Sequence, residues 1–117
     1  MQGYVLLAWC LILCSLPQSE QLTKCGICDC SDDREILLCA GKGLSYVPNF
    51  PEDALHRTRV LGLQRNYIFV VDAERLNAFT HLRLVDVSSQ RTAQGCVTIQ
   101  GALRADIVLY GKFYLYI

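Results

Sequence analysis

Residues 58–68 read TRVLGLQRNYI and residues 82–92 read LRLVDVSSQRT. Laid over one another, Thr58 meets Leu82, Leu61 meets Val85, Leu63 meets Val87, Asn66 meets Gln90 and Ile68 meets Thr92, always at the offset that carries position 58 to 82. Both stretches follow LxxLxLxxNxL, with substitutions in the second. Leu61 and Leu63, two apart on a strand, point to one side and enter a core together. The Asn position then turns the chain, its side chain serving backbone groups that the bend leaves unpaired. One further step back by the same offset lands on Leu37, Cys39 and Leu44, and Val47 matches Val71 in the same frame. Such a period marks a stacked-repeat architecture, in which each turn buries its apolar face against its neighbours, so that caps are required and two repeats alone are marginal.

Upstream lies CGICDCSDDREILLC, residues 25–39, with four cysteines in fifteen residues. Before it, residues 4–16 (YVLLAWCLILCSL) form an apolar run that turns polar at Pro17, Gln18, Ser19 and Glu20. This layout predicts a secretory signal peptide over residues 1–19, with Ser15 or Ser19 as the best last removed residue. A membrane anchor and a buried core segment are the rival readings; thirteen apolar residues fall short of the roughly 20 that span a bilayer. Cleavage would remove Cys10 and Cys14 and leave Cys25, Cys28, Cys30, Cys39 and Cys96 in an oxidising compartment, where disulfides are the default. Four thiolates could also hold zinc, but the CxC spacing and secretion favour disulfides. Linking Cys25 to Cys28 or Cys28 to Cys30 closes a very small, strained ring; pairing Cys25 with Cys30 and Cys28 with Cys39 avoids both. The longer of these loops stabilises by roughly 3 kcal/mol on chain-entropy grounds. For Cys96 three readings stand: a buried free thiol, the partner of a cysteine outside this chain, or a bridge in a disulfide-linked dimer.

From Cys25 to Ile68 the residues resemble the cysteine-rich N-terminal cap of extracellular leucine-rich-repeat proteins. The resemblance rests on the CxxCxC group, a further cysteine eight residues on, and then GLSYVPNFPEDALHRTRVLGLQRNYI. Gly43, Leu44, Val47, Pro48, Pro51, Leu61, Leu63 and Asn66 fall in the family's order and approximate spacing. One departure is the two residues, Gly26 and Ile27, between the first cysteines, where the family more usually has three. The resemblance implies first-to-third and second-to-fourth cysteine pairing and a hairpin that shields the open edge of a parallel sheet. The expected fold is therefore an α/β solenoid of leucine-rich-repeat type, with a disulfide-bonded β-hairpin cap and about two parallel-strand repeats. Its expected parts are a cap over 25–57, a first repeat over 58–81, a degenerate second repeat over 82–105 and an apolar tail over 106–117.

After Gln90 the pattern decays. AQGCVTIQG, residues 93–101, does not supply the expected convex-side leucine or phenylalanine, and IVLYGKFYLYI, residues 107–117, alternates poorly and precedes no cysteine cap. An uncapped, apolar end leaves an unpaired edge, so the chain reads as an incomplete repeat array.

Eleven Lys and Arg balance eleven Asp and Glu, without a basic stripe or an acidic tail, which argues against nucleic acid or lipid headgroups as partners. A membrane association is expected only if a longer product carries an anchor. His56 and His81 stand in no motif with a nucleophile or metal partner, and the pairs Asp32, Asp33 and Glu52, Asp53 lack the pattern of a calcium loop, so neither metal nor cofactor is expected. Asn49, Asn66 and Asn77 are followed two positions on by Pro51, Ile68 and Phe79, so no N-glycosylation site exists.

Strand alternation indicates what the concave face of such a solenoid presents: Val60, Gly62 and Gln64 from one repeat and Leu84, Asp86 and Ser88 from the next. Arg59, Arg65, Arg83 and Ser89 lie alongside at the strand ends. The family's general role implies a secreted or cell-surface, non-catalytic module that binds a protein partner through this face. Two other readings are a cap-plus-repeat remnant without a ligand of its own and a small disulfide-stapled secreted inhibitor. Inhibitor scaffolds of that kind spread their cysteines along the chain rather than gathering four at one end.

Overall fold

The computed structural model describes residues 22–116; the segment read as a signal peptide lies outside them. Its strands are β1 (Thr23–Cys25), β2 (Cys28–Cys30), β3 (Ile36–Leu38), β4 (Val60–Gly62), β5 (Val70–Asp72), β6 (Leu84–Asp86), β7 (Val97–Gln100), β8 (Val108–Tyr110) and β9 (Phe113–Tyr116). Two short helices join them, α1 (Glu52–Arg57) and α2 (Ala73–Asn77).

One sheet has six strands in the order β1-β2-β3-β4-β6-β8. Strands β1, β2 and β3 pair antiparallel, and β3, β4, β6 and β8 are parallel. Lateral partners in the parallel part are Leu37 with Leu61, Leu61 with Val85, and Val85 with Leu109, one sequence period each time. The ladder runs on past the strand ends, through the amides of Cys39, Leu63 and Val87 to the carbonyls of Gly62, Asp86 and Tyr110.

A second, three-stranded parallel sheet, β5-β7-β9, pairs Val71 with Ile99 and Ile99 with Leu115. Sequence reasoning foresaw no such sheet. Val97 and Ile99, in the stretch read as supplying no convex-side leucine or phenylalanine, are fully buried there. The tail, read as a poorly alternating apolar segment, carries β8 and β9, one on each sheet. Leu37, Leu61, Leu63, Val85 and Val87 from the large sheet join Val71, Val97 and Ile99 from the small one in a single core, closed by Ile68, Leu76, Phe79 and Leu82. Each such side chain contributes on the order of 2 kcal/mol by leaving water. Phe79 also meets Phe50 at a tilt, with ring centroids 5.6 Å apart.

The turns repeat as faithfully as the strands. Gly41, Arg65 and Ser89, again one period apart, all have left-handed φ, at 62°, 57° and 56°. Arginine and serine are sterically disfavoured there, so the following residues must hold the bend. Asn66 does so with its amide: Nδ2 donates to the carbonyls of Cys39 (2.8 Å), Leu63 (3.0 Å) and Gln64 (3.3 Å), while Oδ1 accepts from the backbone N–H groups of Lys42 (2.9 Å) and Leu44 (3.0 Å). Gln90 donates to Leu63 (2.8 Å) and Val87 (3.2 Å) and accepts from Ile68 (3.0 Å). Both amides therefore fasten the turn of the preceding unit to their own.

At the N-terminal end the structure bonds Cys25 to Cys30 and Cys28 to Cys39. Cys28, Cys30 and Cys39 are buried and Cys25 is partly so. The Arg34 guanidinium lies over the outer bridge, with Nη1 2.8 Å from Cys30 Sγ and 3.2 Å from Cys25 Sγ. At the other end the last turn is abrupt: Gly111, at a φ of 125°, links β8 to β9 through Lys112, and a side chain there would meet the Ser88 backbone at 2.7 Å.

Candidate binding face

The face of the large sheet turned away from the core is built by the strand alternation that buries Leu37, Leu61 and Val85, and partly buries Leu109, on the other side. Across its parallel strands, lateral register aligns Ile36, Val60, Leu84 and Val108 in one row. Ile36, Leu84 and Val108 are exposed at 41%, 37% and 60%, and Val60 is half-buried. A second row holds Leu38, Gly62, Asp86 and Tyr110, the last 64% exposed. The result is an apolar stripe four strands wide, and contiguous exposed apolar surface of this kind marks interaction sites more often than scattered apolar residues do.

Charge flanks the stripe at the strand entrances. Arg59 Nε lies 3.5 Å from Glu35 Oε1, and Arg83 Nη1 lies 2.8 Å from Asp106 Oδ2. Asp106 is also bonded by Arg104 Nε at 3.1 Å, and this hydrogen bond, ahead of the nearby positive charges, holds its carboxyl below the usual carboxylate range. Arg104 directs its remaining donors to the carbonyls of Asn77, Phe79 and Leu82, which stitches the last strand region to the loop after α2.

The residues read as a concave patch divide into four groups. Val60, Leu84, Arg59 and Arg83 lie on the stripe or its charged margin and are brought together. Asp86 and Ser88 face the same way but are half-buried and occupied with each other, Asp86 Oδ1 accepting from both the Ser88 N–H (2.9 Å) and its hydroxyl (2.6 Å). Arg65 and Ser89 lie beyond the strand ends, exposed in the left-handed turns. Gly62 requires a correction: it is buried rather than presented. The Gln64 side chain folds over it, a Cβ on Gly62 would stand 2.8 Å from Gln64 Oε1 and 3.3 Å from Leu38 Cδ2, and the Gln64 Oε1 atom is itself buried without a hydrogen-bond partner. Alternation gives a residue's side, not whether a neighbour lies across it. Sequence reasoning missed Ile36, Val108 and Tyr110, although one period back from Val60 and one forward from Leu84 reach the first two.

Elsewhere His56 and His81 line a shallow cleft with Asp33, Glu35, Arg57 and Arg59. Among the described residues, no group of three His, Cys, Asp or Glu is placed to hold a metal ion. Cys96 is unpaired among them and half-buried, at the rim of a cleft that includes Phe69, Thr92 and Thr98. No helix among the described residues is long and apolar enough to cross a membrane. Comparison with family models, with curated proteins and with solved structures returns no match to this chain.

Proposed function

We propose that the chain is a leucine-rich-repeat solenoid with a disulfide-bonded N-terminal cap, acting outside the cell as a non-catalytic module that binds a protein partner. The observation that carries the binding role is the apolar stripe Ile36, Val60, Leu84 and Val108, aligned across four parallel strands, with Ile36, Leu84 and Val108 exposed and Val60 half-buried. The repeat assignment is supported by the constant lateral register and by the Asn66 and Gln90 amides at equivalent turns. Two disulfides favour an oxidising compartment.

The partner contact is assigned to the stripe, with the Arg59 and Arg83 margin tuning encounter rate more than affinity, because exposed and already paired charges contribute little. The test is a binding screen of the oxidised chain against an array of extracellular proteins. A partner retained by Phe69→Asp, at an exposed site off the large sheet, and weakened at least about tenfold by Leu84→Asp supports the face. A partner bound equally by both variants removes it.

A further inference from the structure

The two disulfides of the cap stand in different surroundings. Cys28 and Cys39, the inner pair, are both buried in the hydrophobic core. In the outer pair Cys30 is buried as well, but Cys25 only leans on that core and keeps part of its surface in water. Arg34 is aimed at the outer bridge, its Nη1 reaching Thr23 Oγ1 at 2.9 Å besides Cys30 Sγ at 2.8 Å and Cys25 Sγ at 3.2 Å. Its backbone has a left-handed φ of 64°, which an arginine adopts only where its neighbours hold it. Here the Arg34 N–H donates to the Ser31 carbonyl (2.9 Å), the Ser31 hydroxyl donates to Asp33 (2.6 Å), and the Thr58 hydroxyl donates to the Arg34 carbonyl (3.2 Å). Asp53 approaches Arg34 Nε, at 3.6 Å, and is shared with Arg57, so Nη1 is left to the sulfurs.

We propose that the outer bridge is a redox-sensitive clasp, opened by a dithiol reductant with the help of Arg34 while the inner bridge stays closed. Cys25, the partly exposed member, is the one that an attacking thiolate meets. A bond forms between the reductant sulfur and Cys25 Sγ, the Cys25–Cys30 bond breaks, and its electron pair leaves on Cys30 Sγ as a thiolate beside Arg34 Nη1. A guanidinium so placed stabilises the departing thiolate and speeds the step. The second sulfur of the reductant then displaces Cys25. The reductant ends as a disulfide, two electrons pass to Cys25 and Cys30, and the two thiol protons go to their sulfurs or to water.

The same surroundings decide what opening releases. Thr23 and Lys24 are exposed, so β1 is held by its short ladder to β2, by the Arg34 contact and by the bridge itself. Once the bridge opens, β1 separates from β2 and the two sulfurs part. Cys28 and Cys39 are kept face to face by core packing, so an opened inner bridge closes again at once. Reduction therefore lifts β1 off the β2 edge and leaves β2 fastened to the stack, which makes β1 a removable cover for a strand edge.

The experiment is graded reduction of the oxidised chain with dithiothreitol, stopped by iodoacetamide and read cysteine by cysteine by peptide mass spectrometry. Cys25 and Cys30 are expected to become alkylated at a reductant concentration that leaves Cys28 and Cys39 bonded, with amide hydrogen exchange rising in β1 and β2 while β4 and β6 stay protected. Arg34→Gln should slow opening of the outer bridge at least about tenfold, and Arg34→Lys should recover part of the rate. In the opened parent, the pH profile of Cys30 alkylation should lie below the ordinary cysteine value of about 8.5 and return to it in Arg34→Gln, a change that a merely structural arginine would not produce. The order of opening in the parent needs no variant to test it. Inner-first or simultaneous reduction, an outer bridge that opens as fast or faster in folded Arg34→Gln, or a Cys30 profile that is the same with and without the arginine would overturn the proposal.

Discussion

The turn after β4 and the turn after β6 do the same work with different side chains. Asn66 makes five hydrogen bonds there and Gln90 makes three. Both donate to the carbonyl three positions back and to the one a full turn further back, Cys39 for Asn66 and Leu63 for Gln90. Both also accept from an N–H of the preceding turn, Leu44 for Asn66 and Ile68 for Gln90. Gln90 lacks the equivalents of the bonds that Asn66 makes with the Lys42 N–H and the Gln64 carbonyl. The extra methylene of glutamine sets its amide differently in the bend and costs one more rotor to hold. What the position requires is a buried amide that donates and accepts at once, and how fully it serves the turn depends on side-chain length.

The difference is broken most severely at Asn66. Asn66→Ala strips the Lys42 and Leu44 N–H groups and the Cys39 and Gln64 carbonyls of their side-chain partner, and should cost about 3–5 kcal/mol in urea unfolding, since each buried polar group left bare is expensive. Gln90→Ala should cost less, about 2 kcal/mol, because the Leu63 carbonyl keeps its bond from Asn66 and only the Ile68 N–H and Val87 carbonyl lose theirs. Equal losses in the two variants would mean that water replaces Asn66 as well as it replaces Gln90. The smallest expected effect concerns acid. Asp33, bonded first by the Ser31 hydroxyl and then by the Glu35 N–H, and Asp106, bonded by Arg104, both have carboxyls held below the ordinary value of 3.8. Their stabilisation is complete above about pH 4 and is lost as pH falls through the lowered values in the folded chain. Asp106→Asn should therefore flatten the fall of the thermal midpoint below that pH and leave the slope at neutral pH unchanged. A parent-like acid slope in this variant would place the acid sensitivity elsewhere.

Legibility in the sequence followed the regularity of the spacing. The offset between Leu61 and Val85 is the lateral register of the large sheet, and the amide at 66 and 90 could be read because only a few side chains can serve such a bend. The small sheet was illegible for the opposite reason. Val70 pairs with Thr98, a longer step than the period, and Val97 with Phe113, a shorter one, since α2 lengthens one connection and the Gly111 turn shortens the other. Leu109 is hard to place from sequence because its neighbourhood of continuous apolar residues hides alternation, although it lies one period beyond Val85. On the candidate face, the side to which Val60 and Leu84 point was readable. The folding of Gln64 over Gly62 was not, because it depends on a rotamer rather than on a period.

The backward reach of the two amides bears on how the chain is made. Synthesis runs from the N-terminus, and the bend at residues 39–44 lacks its fastener until Asn66 has left the ribosome; the bend at 63–68 waits in the same way for Gln90. Each unit is thus provisional at birth and is locked by the one born after it. The cysteines of the cap stand outside this dependence, since Cys39, the last of them, emerges well before Asn66. Once closed, the disulfides within the stretch from Cys25 to Cys39 give the later locking steps a fixed edge on which to build.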